Sequence, residues 1–215
     1  ALQRATHKPK AIHMRRLNAI VRVAQKHPAK ILYRAMACNR SLLVHSDAAF
    51  TKEEDKGYSL RGACYIRQGT SVSGDPVLHL LGTDCRSLKL VTRSTFGAET
   101  LAAVAAADGA IIMSHMLHEL VSGKLSAAAA IALREKGGGL FHVTLSIDAM
   151  SVFAAATAAT VKLPSERSLA AHLFWLRELL ELGVLHVLEW VDTRDMLADG
   201  LTKARASRAM LLMLV

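Results

Sequence analysis

An α/β fold, a mixed sheet flanked by helices, is predicted by three observations. Segments patterned as strands and helices follow one another in the order β-β-β-α-β-α-α-β-α. Acids stand at the ends of the first and fourth strands, Asp47 after Leu42-Leu43-Val44-His45-Ser46 and Asp148 after Phe141-His142-Val143-Thr144-Leu145-Ser146-Ile147. Between the third and fourth strands, residues 94–121 are alanine-rich and apolar almost all round, as in a helix buried in the middle of a domain.

The elements follow in order. Residues 10–26 place Leu17, Ile20, Val21 and Ala24 on one side of a helix and Lys8, Arg15, Arg22 and Lys26 on the other. One face is expected to pack and the other to meet phosphates. His27-Pro28 breaks the pattern, and short β-type runs follow at 31–33, 42–46, 58–67 and 77–82, the last extending toward Leu88 after the turn signal Ser73-Gly74-Asp75-Pro76. They read as an antiparallel meander. Residues 122–139 form a polar insert with a helical piece, and its Gly137-Gly138-Gly139 lacks the GxxxxGK[ST] pattern of a phosphate loop. Beyond it come a strand at 141–147, a helix at 150–159, and a helix opened by Pro164-Ser165 that runs through Leu169, Leu173, Leu176 and Leu180 to stop at Gly183. A strand at 184–191 then leads to a last helix capped by Thr193.

With 215 residues the chain suits one main core plus an appended segment. The division expected is a basic helical connection at 1–38 and a domain at 39–215. Residues 1–46 carry ten Lys or Arg and no acid, so the other 17 basic residues face all 18 acids, and the net charge of +9 is N-terminal. The longest apolar run, 101–113, is interrupted by Asp108, so a soluble protein without a membrane partner is expected. Three cysteines, with no CxxC pair, argue for a reducing, intracellular compartment and against a disulfide framework or zinc knuckle. A chain that opens on Ala1 is expected to be cut from a longer product.

Asp47, Glu99, Asp148 and Asp199 recur at near-even intervals, each within apolar or small residues. An unpaired buried carboxylate costs several kcal/mol, so a neutralising partner is expected. Hard divalent cations take oxygen ligands, and two ions about 3.5 to 4 Å apart can hydrolyse a phosphodiester. His115-Met116-Leu117-His118-Glu119 lacks the HExxH order of a zinc site, no G-x-S-x-G elbow surrounds Ser94 or Ser146, and Trp175 and Trp190 are expected in the core.

The segments Ser46-Asp47-Ala48-Ala49, Ser94-Thr95-Phe96-Gly97-Ala98-Glu99, Ser146-Ile147-Asp148-Ala149-Met150-Ser151 and Leu197-Ala198-Asp199-Gly200-Leu201-Thr202-Lys203 resemble the successive motifs of the ribonuclease H domain that closes copia-type LTR retrotransposon polyproteins. The last, of the form L-A-D-x-L-T-K, is the most specific, and the resemblance covers roughly residues 40–205. It implies a ribonuclease H-like mixed five-stranded sheet with a basic N-terminal helix. It further implies Asp47, Glu99, Asp148 and Asp199 as catalytic metal ligands for two Mg²⁺ ions, or Mn²⁺, which cut the RNA strand of an RNA/DNA hybrid. The implied partners are that hybrid, met by Lys8, Arg15, Arg22 and Lys26, and the reverse transcriptase domain of the same polyprotein, in a cytoplasmic virus-like particle or the nucleus. The chain departs from the family at Ala149-Met150, where Asn-Gln is usual, and at Gly97, where an acid is usual; Asp195 competes with Asp199 for the fourth role. The alternatives are a catalytically inactive retroelement domain that only binds nucleic acid or serves as a structural module, and another nuclease or integrase-like protein of the same fold class.

Overall fold

The computed structural model describes residues 8–28, 31–37, 41–50, 58–160 and 164–203. The chain divides into a unit that runs to Leu32 and one that starts at Tyr33. In the first, α1 (Ala11–Lys26) follows Lys10, whose backbone N–H donates to His13 Nδ1. The helix expected at 10–26 is there. No residue of α1 is buried, and Leu17, Ile20 and Val21 are 43%, 57% and 45% exposed. Within its own unit the apolar stripe therefore has no cover.

The second unit is built on five strands, β1 (Ser41–Ala49), β2 (Leu60–Thr70), β3 (Pro76–Ser87), β4 (His142–Ile147) and β5 (Val187–Trp190), in the spatial order β3-β2-β1-β4-β5. β1, β2 and β3 form the antiparallel meander, whereas β4 runs parallel to β1 and β5 parallel to β4. The result is a mixed five-stranded sheet flanked by helices, the arrangement expected from the sequence. Gly74, at φ +90°, turns the chain between β2 and β3, where Ser71 N–H donates to Asp75 O at 2.8 Å. The run at 31–33 forms no strand; Tyr33 instead stacks edge-on against His79 and donates its hydroxyl to Leu80 O at 2.9 Å.

α2 (Thr95–Ser122) is capped by Ser94, whose hydroxyl accepts from Gly97 N–H at 3.1 Å. Ala103, Ala106, Ala107 and Ala110 pack with Leu42, Val44, Val143 and Leu145 in the main core, because small side chains let a helix lie close to a sheet. Despite Asp108, α2 is long and apolar enough to cross a membrane by length and composition, and in the fold it is the central helix of the domain. α3 (Ala127–Glu135) is the helical piece of the polar insert, and α4 (Met150–Thr157) follows β4.

Two boundaries and one cap differ from expectation. The helix read from Pro164 begins later, as a 3₁₀ turn at Arg167–Leu169 continued by α5 (Ala170–Glu181), which buries Leu173, Leu176 and Leu179. β5 is four residues long because Leu185 N–H is still bonded to Leu179 O at the end of α5, so the ladder to β4 opens only at His186. Thr193 does not cap α6 (Asp199–Thr202); it starts a separate 3₁₀ turn, Thr193–Asp195, capped by Asp192.

Candidate metal centre

Alternation along β1 sends Leu42 and Val44 into the main core and His45 and Asp47 to the other face. Asp47 is fully buried, opposite Gly62 of β2. The parallel register pairs Ser46 with Ile147, so the carboxyl ends of β1 and β4 lie side by side and bring Asp47 next to Asp148, the residue that follows β4. Glu99 reaches the same end of the sheet from the first turns of α2, beneath the Ser94 cap. One ligand atom from each of Asp47, Glu99 and Asp148 lies within 4.8 Å of the others.

The fourth acid of the series enters by another route. Asp199 opens α6 and accepts from Lys203 Nζ at 2.5 Å, while the same ammonium donates to Asp47 Oδ1 at 3.1 Å. The other oxygen of Asp47, Oδ2, accepts from the Thr202 hydroxyl. Both oxygens of the buried carboxylate are therefore held by consecutive residues of the closing motif. Asp195, the competing candidate, is exposed in the 3₁₀ turn.

Electrostatics follow from burial and like charge. Glu99 is pushed up to about 8, first by burial and then by the charges of Asp47 and Asp148. Asp148 is raised by burial and by Asp47, against the opposing hydrogen bond from Thr193, whose hydroxyl donates to Asp148 Oδ2 at 3.1 Å. Asp199 is raised by burial, with the Lys203 hydrogen bond opposing. For Lys203, burial pulls the ammonium down, but Asp199 and Asp47 outweigh it and the net direction is upward. Three close carboxyls that disfavour simultaneous ionisation form an all-oxygen cradle suited to a hard divalent cation.

Lys8, Arg15, Arg22 and Lys26 are all exposed on the first unit. His118 of the HxxH pair is buried, and its Nδ1 accepts from Leu140 N–H at 3.2 Å, a bond that ties α2 to the approach to β4. Trp190 is not a core residue: it is 42% exposed and donates Nε1–H to Asp148 O at 2.9 Å, which fixes the backbone that carries the acid. Trp190, Thr193, Thr202 and Lys203 were not among the expected site residues. For Lys203 a signal was available, since Asp199 and Lys203 stand at i and i+4, a spacing that pairs opposite charges on a helix.

No family model matches the chain, and no curated protein matches it. Among solved structures the chain is similar to the RNase H1 of the halophilic archaeon Halobacterium salinarum, at 17% identity over 75% of this chain and 93% of that one, with a TM-score of 0.44. It is also similar to LC11-RNase H1, isolated from compost by a metagenomic approach, at 13% identity over 75% and 92% of the two chains, with a TM-score of 0.46. A third is the prototype foamy virus protease-reverse transcriptase, at 12% identity over 81% of this chain but 22% of that one, with a TM-score of 0.40. These overlaps are loose, and the fold rests on the chain's own strand order and pairing.

Proposed function

We propose that the chain is a metal-dependent nuclease that hydrolyses the RNA strand of RNA/DNA hybrids, as the ribonuclease H part of a copia-type retrotransposon polyprotein beside its reverse transcriptase domain. The observation that carries this reading is the convergence of Asp47, Glu99 and Asp148, from two strand ends and a helix start, within 4.8 Å. Three of the four motifs thereby meet at one end of one sheet, and the fourth is tied to them through the bonds of Lys203 to Asp47 and Asp199.

Asp47, Glu99 and Asp148 would hold Mg²⁺ or Mn²⁺, with Asp199 beside them. When bound, such ions would supply Lewis-acid chemistry for phosphodiester hydrolysis. The protein's part is to fix the ligands. Thr202 and Lys203 immobilise Asp47, Thr193 orients the carboxyl of Asp148, Trp190 anchors its backbone, and the helix start delivers Glu99. Lys8, Arg15, Arg22 and Lys26 add sequence-independent attraction for the phosphates of the hybrid, and the reading implies an intracellular setting, a cytoplasmic particle or the nucleus.

One observation favours a second reading, a non-catalytic domain that binds nucleic acid or serves only as a structural module. At the start of α4, next to the third acid, stands Met150, 51% exposed, where the resembling family carries a polar side chain. A Mg²⁺-dependent cleavage assay on a labelled hybrid separates the two. The native chain is expected to cut the RNA strand and Asp148→Asn to lose at least about 100-fold in rate, as removal of a ligand should exceed the 10- to 100-fold cost of losing an outer-shell partner. Equal activity in both proteins, or none in either, leaves only the non-catalytic reading.

A further inference from the structure

The closing motif contributes a cation of its own. Lys203 Nζ sits 2.5 Å from Asp199 Oδ1 and 3.1 Å from Asp47 Oδ1, and its side chain is 37% exposed against 0% for that of Asp47. The ammonium thus occupies the space between the acid of β1 and the acid of α6, with one side still open to solvent. Glu99 and Asp148 have no such partner: no lysine or arginine hydrogen bond or ion pair to either carboxylate is found among the described residues. Lys203 consequently bonds one acid of the triad, Asp47, and the acid outside it, Asp199, while its charge reaches Glu99 and Asp148 only without a direct bond. A divalent ion shared by Asp47 and Asp199 would need the same lone pairs and would meet the ammonium at contact distance.

We propose that Lys203 is the resident counter-cation of the Asp47–Asp199 pair, so that the protein binds one divalent ion readily, on Asp47, Glu99 and Asp148, and admits a second only when Lys203 swings out of the site. The inference rests on the metal-binding reading above and changes its stoichiometry, from two equivalent ions to a first ion and a gated second. Lys203 acts here as a positioning residue. It sets the occupancy of neighbouring carboxylates and needs no contact with the substrate. Thr202 stays on Asp47 when the lysine leaves, so the first ion keeps its ligand in place.

The test is a Mn²⁺ titration of the full chain, followed by the electron paramagnetic resonance of free Mn²⁺, on the native protein, Lys203→Met and Lys203→Arg. The native protein is expected to take up one ion in the micromolar range with a second at least tenfold weaker. Lys203→Met should take up two ions with the second tightened tenfold or more, and Lys203→Arg should behave as the native chain. The same count and the same second affinity in Lys203→Met overturn the proposal, and absence of Mn²⁺ binding in all three overturns it together with the metal-binding reading. A native chain that binds as expected yet cuts no hybrid removes the enzyme and leaves the gated site standing. On the native chain alone, the solvent exchange of the Lys203 ammonium protons under Mg²⁺ titration gives a second measurement: exchange should stay slow through the first equivalent, whatever the shift of the signal, and become fast only with the second, when the bonds to Asp47 and Asp199 are given up. Fast exchange already at the first equivalent sinks the idea even if Lys203→Met does not fold.

Discussion

Gly62 lies directly across the β1–β2 ladder from Asp47, and the space that its missing side chain leaves is filled by α6. A Cβ at Gly62 would stand 2.6 Å from Thr202 Cγ2, 3.3 Å from Ala198 O and 3.3 Å from Leu201 Cβ. Gly62→Ala must therefore push back the turn that brings Thr202 onto Asp47. The first divalent ion should bind about 10- to 100-fold more weakly, the cost typical of a lost outer-shell partner, while the denaturation midpoint of the metal-free protein changes little. Unaltered Mn²⁺ affinity in this variant would show that α6 does not position Asp47.

Glu99 makes stability depend on pH in a defined direction. Its carboxyl ordinarily titrates at 4.5 and is held at about 8 in the fold, so between those values the native state keeps a proton that the unfolded chain has released. Stability falls as pH rises through that window. His45 acts in the opposite sense lower down: burial lowers it from 6.5 to about 4, with Glu189 opposing, and stability there rises with pH. Between about pH 6.5 and 8 the Glu99 slope is unopposed by His45. Urea midpoints across that range should decline for the native chain and decline less for Glu99→Gln.

The same proton links metal and pH. Binding of a divalent ion at pH 7 must strip it from Glu99, so calorimetric titrations in two buffers of different ionisation enthalpy should report net proton release. Glu99→Gln should bind weakly and release none; equal heats in both buffers for the native chain count against a protonated Glu99.

Thr193→Val removes the hydroxyl that donates to Asp148 Oδ2 and keeps the shape of the side chain. The loss should raise the Asp148 carboxyl further and weaken the first Mn²⁺ about 10-fold or more, with an effect on unfolding within about 1 kcal/mol because the residue is exposed.

Gly109→Ala tests how closely α2 lies on the sheet. A Cβ there would stand 2.7 Å from Cζ and 3.0 Å from Cε1 of Tyr65, a buried ring of the main core, with the hydroxyl nearer still. Overpacking of this kind costs about 1 to 3 kcal/mol. The unfolding midpoint should drop without a change in slope, and the cost should shrink in a Tyr65→Leu background.

How far the sequence carried differed by element. Asp47 and Asp148 were legible because apolar strand runs ended in acids that apolar surroundings cannot tolerate alone, and α2 was legible from its continuous small-residue pattern bounded by Ser94. The length of β5 was not, since Val184 and Leu185 carry strand-like side chains, yet Leu185 N–H stays bonded to Leu179 O in α5. Trp190 misled for a related reason: an indole suggests burial, and only the fold shows that its N–H is spent on the carbonyl of Asp148. The apolar stripe of α1 was visible as periodicity, yet periodicity is silent on whether anything covers it.

Thr202 and Lys203 reach back across 155 and 156 residues of chain to grip Asp47. Contacts of such span carry a large loop-closure entropy and slow folding. A nascent chain still short of Thr202 can close its sheet around the aspartate but cannot clamp it, so competence of the pocket should appear only once Thr202 and Lys203 have been made. Proteolytic clipping just ahead of α6 should leave a folded, metal-weak remnant.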